Sequence, residues 1–567
     1  MCGIWAYLSK LGRFHHKDVD YYSAFNSIKE RGPDRSQYLE LNGKIPMKIG
    51  FHRLSIMDLS TKGDQPFVYE TPQNKTIYTL TNGEIYNHKT LIDDHNLSPI
   101  SGSDCEVVPL LYMKYGFEKT ISLLMGEWAC IVVEIDNLTD DTILYAARDQ
   151  MGVRPLFYSS DVHGYSFSSE MKGLIPISQK VHTFSPTYYV KISVSTRDKV
   201  ISTGIDWKEW YLPTYTREVT LSLPQIKTRV RELITEAIES RLDADRPIAC
   251  LLSGGIDSSL VAAIAANYMK QKGKRIKTFS IGMPDSPDVY YAQKVADHIG
   301  SIHTVVPFIP FEGIKSIPSI IKAIESYDIT TVRASTPHFL LLKWIRENTD
   351  VKVIYSGEFM DEVAGSYLYL HNAPSPDEFH KECVRLVKDI YLFDSLRADR
   401  CIAGNGIEAR VPFSHQQFVE FYLSLDPELR MPRPSPELGI SNKLEKALVR
   451  EAFFQTGLLP DDIIIRTKNA FSDAISHESK SWYQYIEDYT NISITDSEFE
   501  SRKERYPFNT PETKEAYYFR MWFESEFKSH NTDTIPYMWL PKWCGNVKNP
   551  SARVLDIYRE NINEKMK

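Results

Sequence analysis

Along the first 200 residues, apolar positions fall in short runs of strand length. Residues 48–56, 76–80, 129–135 and 143–147 carry β-branched and aromatic side chains, separated by turn signals at Asn42-Gly43, Asn82-Gly83 and His163-Gly164. A helical pattern at 107–115 among them predicts an α+β unit. From about residue 221 the period changes: 226–242 places apolar residues three and four apart with charges between, the pattern of an amphipathic helix. The stretch 203–220, rich in Thr and Trp, reads as a linker.

Beyond it, strand-length apolar segments alternate with helical ones. Residues 247–252 lead into a helix over 259–271, 276–282 precede one around 291–298, and 351–355 follow one around 338–346. That alternation predicts an α/β unit with a parallel sheet, whose ligands bind beyond the carboxyl ends of the strands. The expected division is 1–205, 221–530 and a tail over 531–567, its last fifteen residues polar and frayed.

A length of 567 residues fits two to four domains at about 150 residues each. Charges of 66 basic against 74 acidic residues give a net of −8, so no basic field is present for nucleic acid. No apolar run reaches the roughly 18 residues that span a bilayer, and the apolar stretch near Met1 has no basic leader. Seven cysteines without a CxxC pair argue for a reducing, cytoplasmic setting and against structural zinc. No membrane partner is expected.

Two motifs carry chemistry. Cys2 follows Met1, and removing the methionine would place a thiol beside an α-amine with a pKa of roughly 7.7 to 8.0, a nucleophile with its own base. Further on, Ser253-Gly254-Gly255-Ile256-Asp257-Ser258-Ser259 follows Leu251 and Leu252 at a strand-to-helix junction. Open backbone N–H groups at a helix start suit phosphate oxygens, and Asp257 suits Mg²⁺. The loop lacks the Gly-Lys-Ser/Thr of a Walker A sequence.

With Cys2 come Arg31-Gly32-Pro33-Asp34, Gly50-Phe51-His52-Arg53-Leu54, Asn82-Gly83-Glu84-Ile85-Tyr86-Asn87 and Ser101-Gly102-Ser103-Asp104. Together they resemble the glutaminase domain of class II, N-terminal-nucleophile amidotransferases, which implies an α+β N-terminal-nucleophile hydrolase sandwich. By that resemblance Cys2 is the nucleophile, Asn82 and Gly83 form the oxyanion hole, Arg53 takes the glutamine carboxylate, and Glu84 with Asp104 takes its ammonium. Leu54, Ser55, Ile56 and Met57 complete the glutamine pocket.

The 253–259 loop resembles the PP-loop of ATP pyrophosphatases. With Thr278 to Met283 (TFSIGM), Tyr327 to Ala334 (YDITTVRA), Arg397 to Arg400, Glu408 to Phe413 (EARVPF), Arg466 to Lys468 and Pro541-Lys542-Trp543, nearly the whole chain is similar to glutamine-hydrolysing asparagine synthetases. The resemblance implies synthesis of asparagine from aspartate, glutamine and ATP, through β-aspartyl-AMP, with ATP and Mg²⁺ required and a homodimer as the candidate assembly. It places ATP at Leu251, Ser253, Gly254, Gly255, Asp257, Ser258, Ser259, Ile281, Ser356 and Gly357, and Mg²⁺ at Asp257 and Asp361. Glu358 would act beside the adenylate and Lys468 on the phosphates.

The chain departs from that pattern at Phe359-Met360, where the family carries two small residues, at Ser414-His415-Gln416, and at Glu30. Two rivals therefore stand beside the main reading. One is glutamine-dependent amidation of another carboxylate; the other is a weakened synthetase serving as a sensor or interaction protein. Cys2 argues against a relative that needs no ammonia, and the TFSIGM and YDITTVRA segments favour aspartate.

Overall fold

The structure is a computed structural model and describes residues 1–14, 20–41, 43–197, 200–215, 220–467, 475–476, 480–556 and 558. Twelve strands build two antiparallel sheets: β1 (Gly3–Ser9), β2 (Arg35–Leu41), β3 (Met47–Arg53), β4 (Phe67–Glu70), β5 (Lys75–Ile85), β6 (Gly126–Asp136), β7 (Thr142–Arg148), β8 (Phe157–Ser160), β9 (Gly164–Ser168), β10 (His182–Thr183), β11 (Tyr188–Arg197) and β12 (Val200–Glu209). Their orders are β10-β8-β9-β1-β3-β2 and β12-β11-β7-β6-β5-β4.

Strand periodicity explains why the sheets stack. Ile4, Ala6 and Leu8 of β1 point at Ala129, Ile131 and Val133 of β6 in one buried core, while Trp5 and Tyr7 turn the other way onto Phe25 and Ile28. The far face of β6, Cys130 and Val132, packs beneath α1 (Val107–Tyr115). The result is a sandwich with helices outside.

Two expectations change here. Asn82-Gly83 is no turn but lies inside β5, in register with Ala129 and Trp128. The glycine serves close approach instead: Gly83 has φ +143° and a Cβ there would sit 1.9 Å from the Glu127 carbonyl. Residues 203–209 are likewise strand, since β12 pairs with β11 from Arg197↔Val200 to Tyr188↔Glu209. As an edge strand facing water it shows too few apolar residues to stand out from a linker.

The second unit opens with α2 (Leu223–Glu239), closed by a Ser222/Gln225 capping box. Its parallel sheet has the order β15-β14-β13-β16-β17, from β13 (Ile248–Leu251), β14 (Lys277–Gly282), β15 (Ile302–Pro307), β16 (Val353–Tyr355) and β17 (Glu408–Arg410). α3 (Ile256–Gln271) follows β13, α4 (Pro287–Ile299) follows β14, and α5 (Ile329–Asn348) precedes β16. α5 begins nine residues earlier than its apolar pattern suggests: Asp328 caps it by accepting the Thr331 N–H, and Pro337 interrupts the pattern within. α6 (Met360–Ala364), α7 (Asp394–Ala403) and α8 (Ala447–Phe453) complete the walls that matter below. Among the described residues no helix is long and apolar enough to cross a membrane.

The two units meet through buried ion pairs. Arg31 binds Glu170 at 2.8 Å and Asp399 at 2.7 Å; Glu127 joins Arg154 and Arg241, each at 3.0 Å; and Arg154 donates to the Ala409 carbonyl at 2.7 Å. Each charge is buried yet matched, the condition under which such pairs hold one docking geometry.

Candidate active sites

The first site lies where β1, β3 and β5 converge beside β17. The Cys2 N–H donates to Asn82 Oδ1 at 2.8 Å, and Cys2 Sγ lies 3.8 Å from the Leu54 carbonyl. Burial pushes the Cys2 thiol up, with the Met1 ammonium opposing it. Asn82 Nδ2 is buried without a hydrogen-bond partner among the described residues, so one amide donor stays free beside the thiol's residue. Leu54 to Met57 follow β3, with the Ser55 N–H on Asp34 at 2.9 Å and the Ile56 carbonyl accepting the Asp245 N–H at 3.0 Å.

Acidic groups crowd the same place. Asp104 accepts the Ile85 N–H at 2.6 Å, Glu84 lies 3.4 Å from Arg410, and Glu408 binds the Met1 ammonium at 2.9 Å. Burial, followed by Asp104 and Glu408, pushes the Glu84 carboxyl well up. Glu408 and Arg410, part of the EARVPF segment but given no role in the site by the sequence, enter from the other unit. Arg53 is committed elsewhere: it binds Asp64 and the Ser60 carbonyl, both at 2.6 Å.

The second site is the cavity beyond the carboxyl ends of β13, β14 and β16, the place parallel sheets offer. Its wall includes Leu251, Ser253, Gly255, Asp257, Ser258, Ile281, Ser356, Gly357, Glu358 and Asp361. Gly254 and Ser259 do not line it. Gly254 has φ +72°, and a Cβ there would collide with Tyr291 and Ala292 of α4 at 2.5 and 2.6 Å, so this glycine serves packing; Ser259 is buried inside the first turn of α3. Lys468 lies outside the described residues, as does the segment 470–473.

At the cavity floor Lys446 bridges two carboxylates. Its ammonium donates to Asp257 Oδ2 and, at 2.5 Å, to Asp361 Oδ1, although its side chain is only 1% exposed. Asp257 Oδ1 is buried without a partner among the described residues. A cation already sits between two acids at the phosphate loop, and a spare oxygen remains: this donor set suits a divalent ion that also carries phosphates and water. No third acidic, His or Cys ligand closes the group among the described residues. Lys446 had no signal in the sequence, because it lies 189 residues from Asp257 and outside any recognisable run.

On the opposite wall Arg397 holds Glu358 at 2.7 Å and Asp394 at 2.8 Å. Asp394 in turn lies 2.9 Å from the Tyr367 hydroxyl, which is 2.6 Å from Glu362. Burial, then the neighbouring Asp394, pushes the Glu362 carboxyl well up, and the Tyr367 hydroxyl donates within reach of both acids. His338 Nδ1 stands 3.4 Å from Arg397 Nη1, and burial with that guanidinium holds its pKa down to about 3, leaving a neutral ring. Arg466 pairs with Asp288 at 2.7 Å near Ser253. Phe359 and Met360 are both fully buried in the apolar core with Val363, away from the cavity wall, so their bulk does not enter the site. His415 is also buried.

A glutamine amidotransferase domain matches residues 1–206, and asparagine synthase matches residues 229–376 and 371–539. The chain is 38% identical over 585 residues to the asparagine synthetase [glutamine-hydrolyzing] of Homo sapiens, covering 99% of this chain and 100% of that one. It is 40% identical over 583 residues to the protein of the same name in Gallus gallus, covering 100% of both. Among solved structures, a glutamine phosphoribosylpyrophosphate amidotransferase from B. subtilis is 13% identical with a TM-score of 0.30, over 54% of this chain and 81% of that one. With both family domains present and the likeness running end to end, the chain belongs to the asparagine synthase family, with a glutamine amidotransferase domain at its N-terminus.

Proposed function

We propose that this chain makes L-asparagine from L-aspartate, with glutamine as nitrogen donor and ATP as activator. The observation that carries the reading is the convergence of Asp257 and Asp361 on one buried cation at the end of a phosphate-type loop. An acid pair of that kind belongs with a polyphosphate. The separate thiol site beside Asn82 supplies the other half.

In the first half, Cys2 attacks the glutamine amide once Met1 is removed. The freed α-amine lies where the Cys2 N now meets Asn82 Oδ1 and takes the thiol proton. Asn82 Nδ2, with the Gly83 N–H, faces the developing oxyanion, each such donor being worth roughly 10² to 10³ in rate. Ammonia leaves, and water releases glutamate from the thioester. Glu84 and Asp104 hold the α-ammonium; Arg53 takes the α-carboxylate by exchanging its present partner Asp64.

In the second half, a β-carboxylate oxygen of aspartate attacks the α-phosphorus of ATP and pyrophosphate departs. Ser253, Gly255 and Ser258 cradle phosphates, Leu251 and Ile281 border the base, and Lys446, Arg466 and Lys468 offset charge on the leaving group. Asp257 and Asp361 would hold Mg²⁺, which when bound neutralises phosphate charge. Ammonia then attacks the acyl carbon of β-aspartyl-AMP and AMP leaves. Glu358, clamped by Arg397 at the cavity wall, takes the proton that the nitrogen sheds. We place the enzyme in the cytoplasm, in keeping with its seven free cysteines.

The test is product formation. Aspartate, ATP, Mg²⁺ and glutamine should yield asparagine, glutamate, AMP and pyrophosphate in equal amounts. ADP and phosphate in their place would refute the adenylate route, and turnover only with another carboxylate would shift the reading to a different amidation.

A further inference from the structure

Arg410 and Glu84 meet across the buried boundary between the two units. Arg410 Nη2 lies 3.4 Å from Glu84 Oε2, its Nε donates to Glu408 Oε1 at 2.8 Å, and its Nη1 is fixed on the carbonyls of Arg241 and, at 2.7 Å, Asp243. Nη2 itself makes no hydrogen bond among the described residues. The guanidinium is thus anchored by its own unit and presents one edge, as charge alone, to an acid of the glutamine pocket.

The charge balance there is lopsided. Glu84, Asp104 and Glu408 are 6%, 3% and 0% exposed. The groups acting on Glu84 are Asp104 and Cys105 from the turn after Ser103, and Glu408 and Arg410 from β17; the Met1 ammonium stands on Glu408, and His88 acts on Asp104 from beyond. Removing Met1 takes its ammonium off Glu408 and moves the terminal amine to Cys2, beside Asn82. Arg410 then remains as the cation held against Glu84.

We infer that Arg410 is a positioning residue for glutamine: lent by the synthetase half and held 3.4 Å from Glu84, its charge favours the anionic form of Glu84, the form that receives the substrate's α-ammonium. This rests on the proposal that Glu84 and Asp104 bind that ammonium. The glutaminase half is therefore electrostatically incomplete without the synthetase half. The direction of each perturbation follows. Burial, Asp104 and Glu408 raise Glu84, and Arg410 lowers it. Removing Arg410 must move glutamine binding to higher pH, and neutralising Glu408 must move it to lower pH. General loosening of the boundary would weaken binding in both proteins without opposite shifts.

The experiment measures the pH dependence of the glutamine Kd by calorimetry in the full-length Cys2→Ala protein, with Arg410→Met, Arg410→Lys, Glu408→Gln and Glu84→Gln added singly. Arg410→Met should weaken binding at pH 7 by about tenfold or more and raise the acidic limb by about one unit. Arg410→Lys should recover most of the loss, and Glu408→Gln should lower the limb. An unmoved limb in Arg410→Met, or shifts of the same sign in Arg410→Met and Glu408→Gln, would overturn the assignment. Should Arg410→Met fail to fold, Arg410→Gln takes its place, a raised acidic limb supporting the assignment and an unmoved limb refuting it. Glu84→Gln separates the two layers. If it binds glutamine normally, the reading of Glu84 falls and this inference with it; if it binds poorly while Arg410→Met is unaffected, Arg410 alone is removed.

Discussion

Lys446 and Asp361 stand 2.5 Å apart, nitrogen to oxygen, although 85 residues separate them in the chain. The lysine caps the start of α8 at φ +57°, a left-handed backbone that aims its side chain into the cavity instead of along the helix. It is held there by Asp257 as well, so the two acids share one ammonium.

Lys446→Ala should therefore act twice. Without ligands, two partly buried carboxylates lose their counter-ion, which should cost about 1 kcal/mol of stability. Pyrophosphate release should fall by roughly 10² to 10³. Thermal melts with and without Mg²⁺·ATP check the first effect, since ligands should restore the midpoint more in the variant than in the parent. Equal midpoint gains would contradict the shared-cation account. Asp257→Asn and Lys468→Ala should also stop synthesis with either nitrogen donor.

Cys2→Ala should abolish glutamate production while ammonia-dependent asparagine synthesis continues, because the thiol serves one site only. An N-terminal extension that blocks removal of Met1 should do the same, since an amide nitrogen cannot accept the thiol proton. Mass spectrometry of active protein should find Cys2 first; active protein still bearing Met1 would contradict the mechanism.

The bulky pair after Glu358 should be nearly silent in catalysis. Phe359 and Met360 are buried in the core and do not line the cavity, so Phe359→Gly with Met360→Ser should change the synthetase rate by less than about tenfold, ~1.4 kcal/mol of barrier. Phe359 holds φ +78°, so the glycine relieves backbone strain even as the core loses a ring. A rate increase of several orders of magnitude would show that the natural loop obstructs the site.

Acid should weaken the fold through its buried histidines. His338 is held down to about 3 and His415 to about 3, against 6.5 in the unfolded chain, chiefly by burial. Between those values the unfolded state binds protons that the native state refuses, so stability falls as pH drops from 6.5 toward 3, by at most ~1.4 kcal/mol per unit for each group. His338→Gln should flatten that decline in urea midpoints measured from pH 7 to 4; an unchanged slope would rule out a contribution from His338.

Local patterns revealed much of this architecture, and distance in the chain hid the rest. The strand-length apolar run in β6 and the helical period of α2 are properties of neighbouring residues, so they could be read directly. Asn82-Gly83 misled because its glycine answers a contact with Glu127 on another strand, not a local turn. Edge strand β12 hid for the opposite reason, carrying water-facing residues that a linker also carries. In the sites, the motif residues Cys2, Asn82, Asp257 and Asp361 announced themselves, whereas Lys446, Arg410 and Glu408 act only through pairings made by the folded chain.

The central claim is that one chain moves nitrogen from glutamine to aspartate through an adenylate. It is tested most directly by supplying glutamine labelled with ¹⁵N at the amide, together with aspartate, Mg²⁺ and ATP, against a low background of unlabelled ammonium. Mass spectrometry should find the label in the asparagine side-chain amide, with one AMP and one pyrophosphate for each asparagine. Unlabelled asparagine, or labelled ammonia released with no asparagine and no pyrophosphate, would contradict the account.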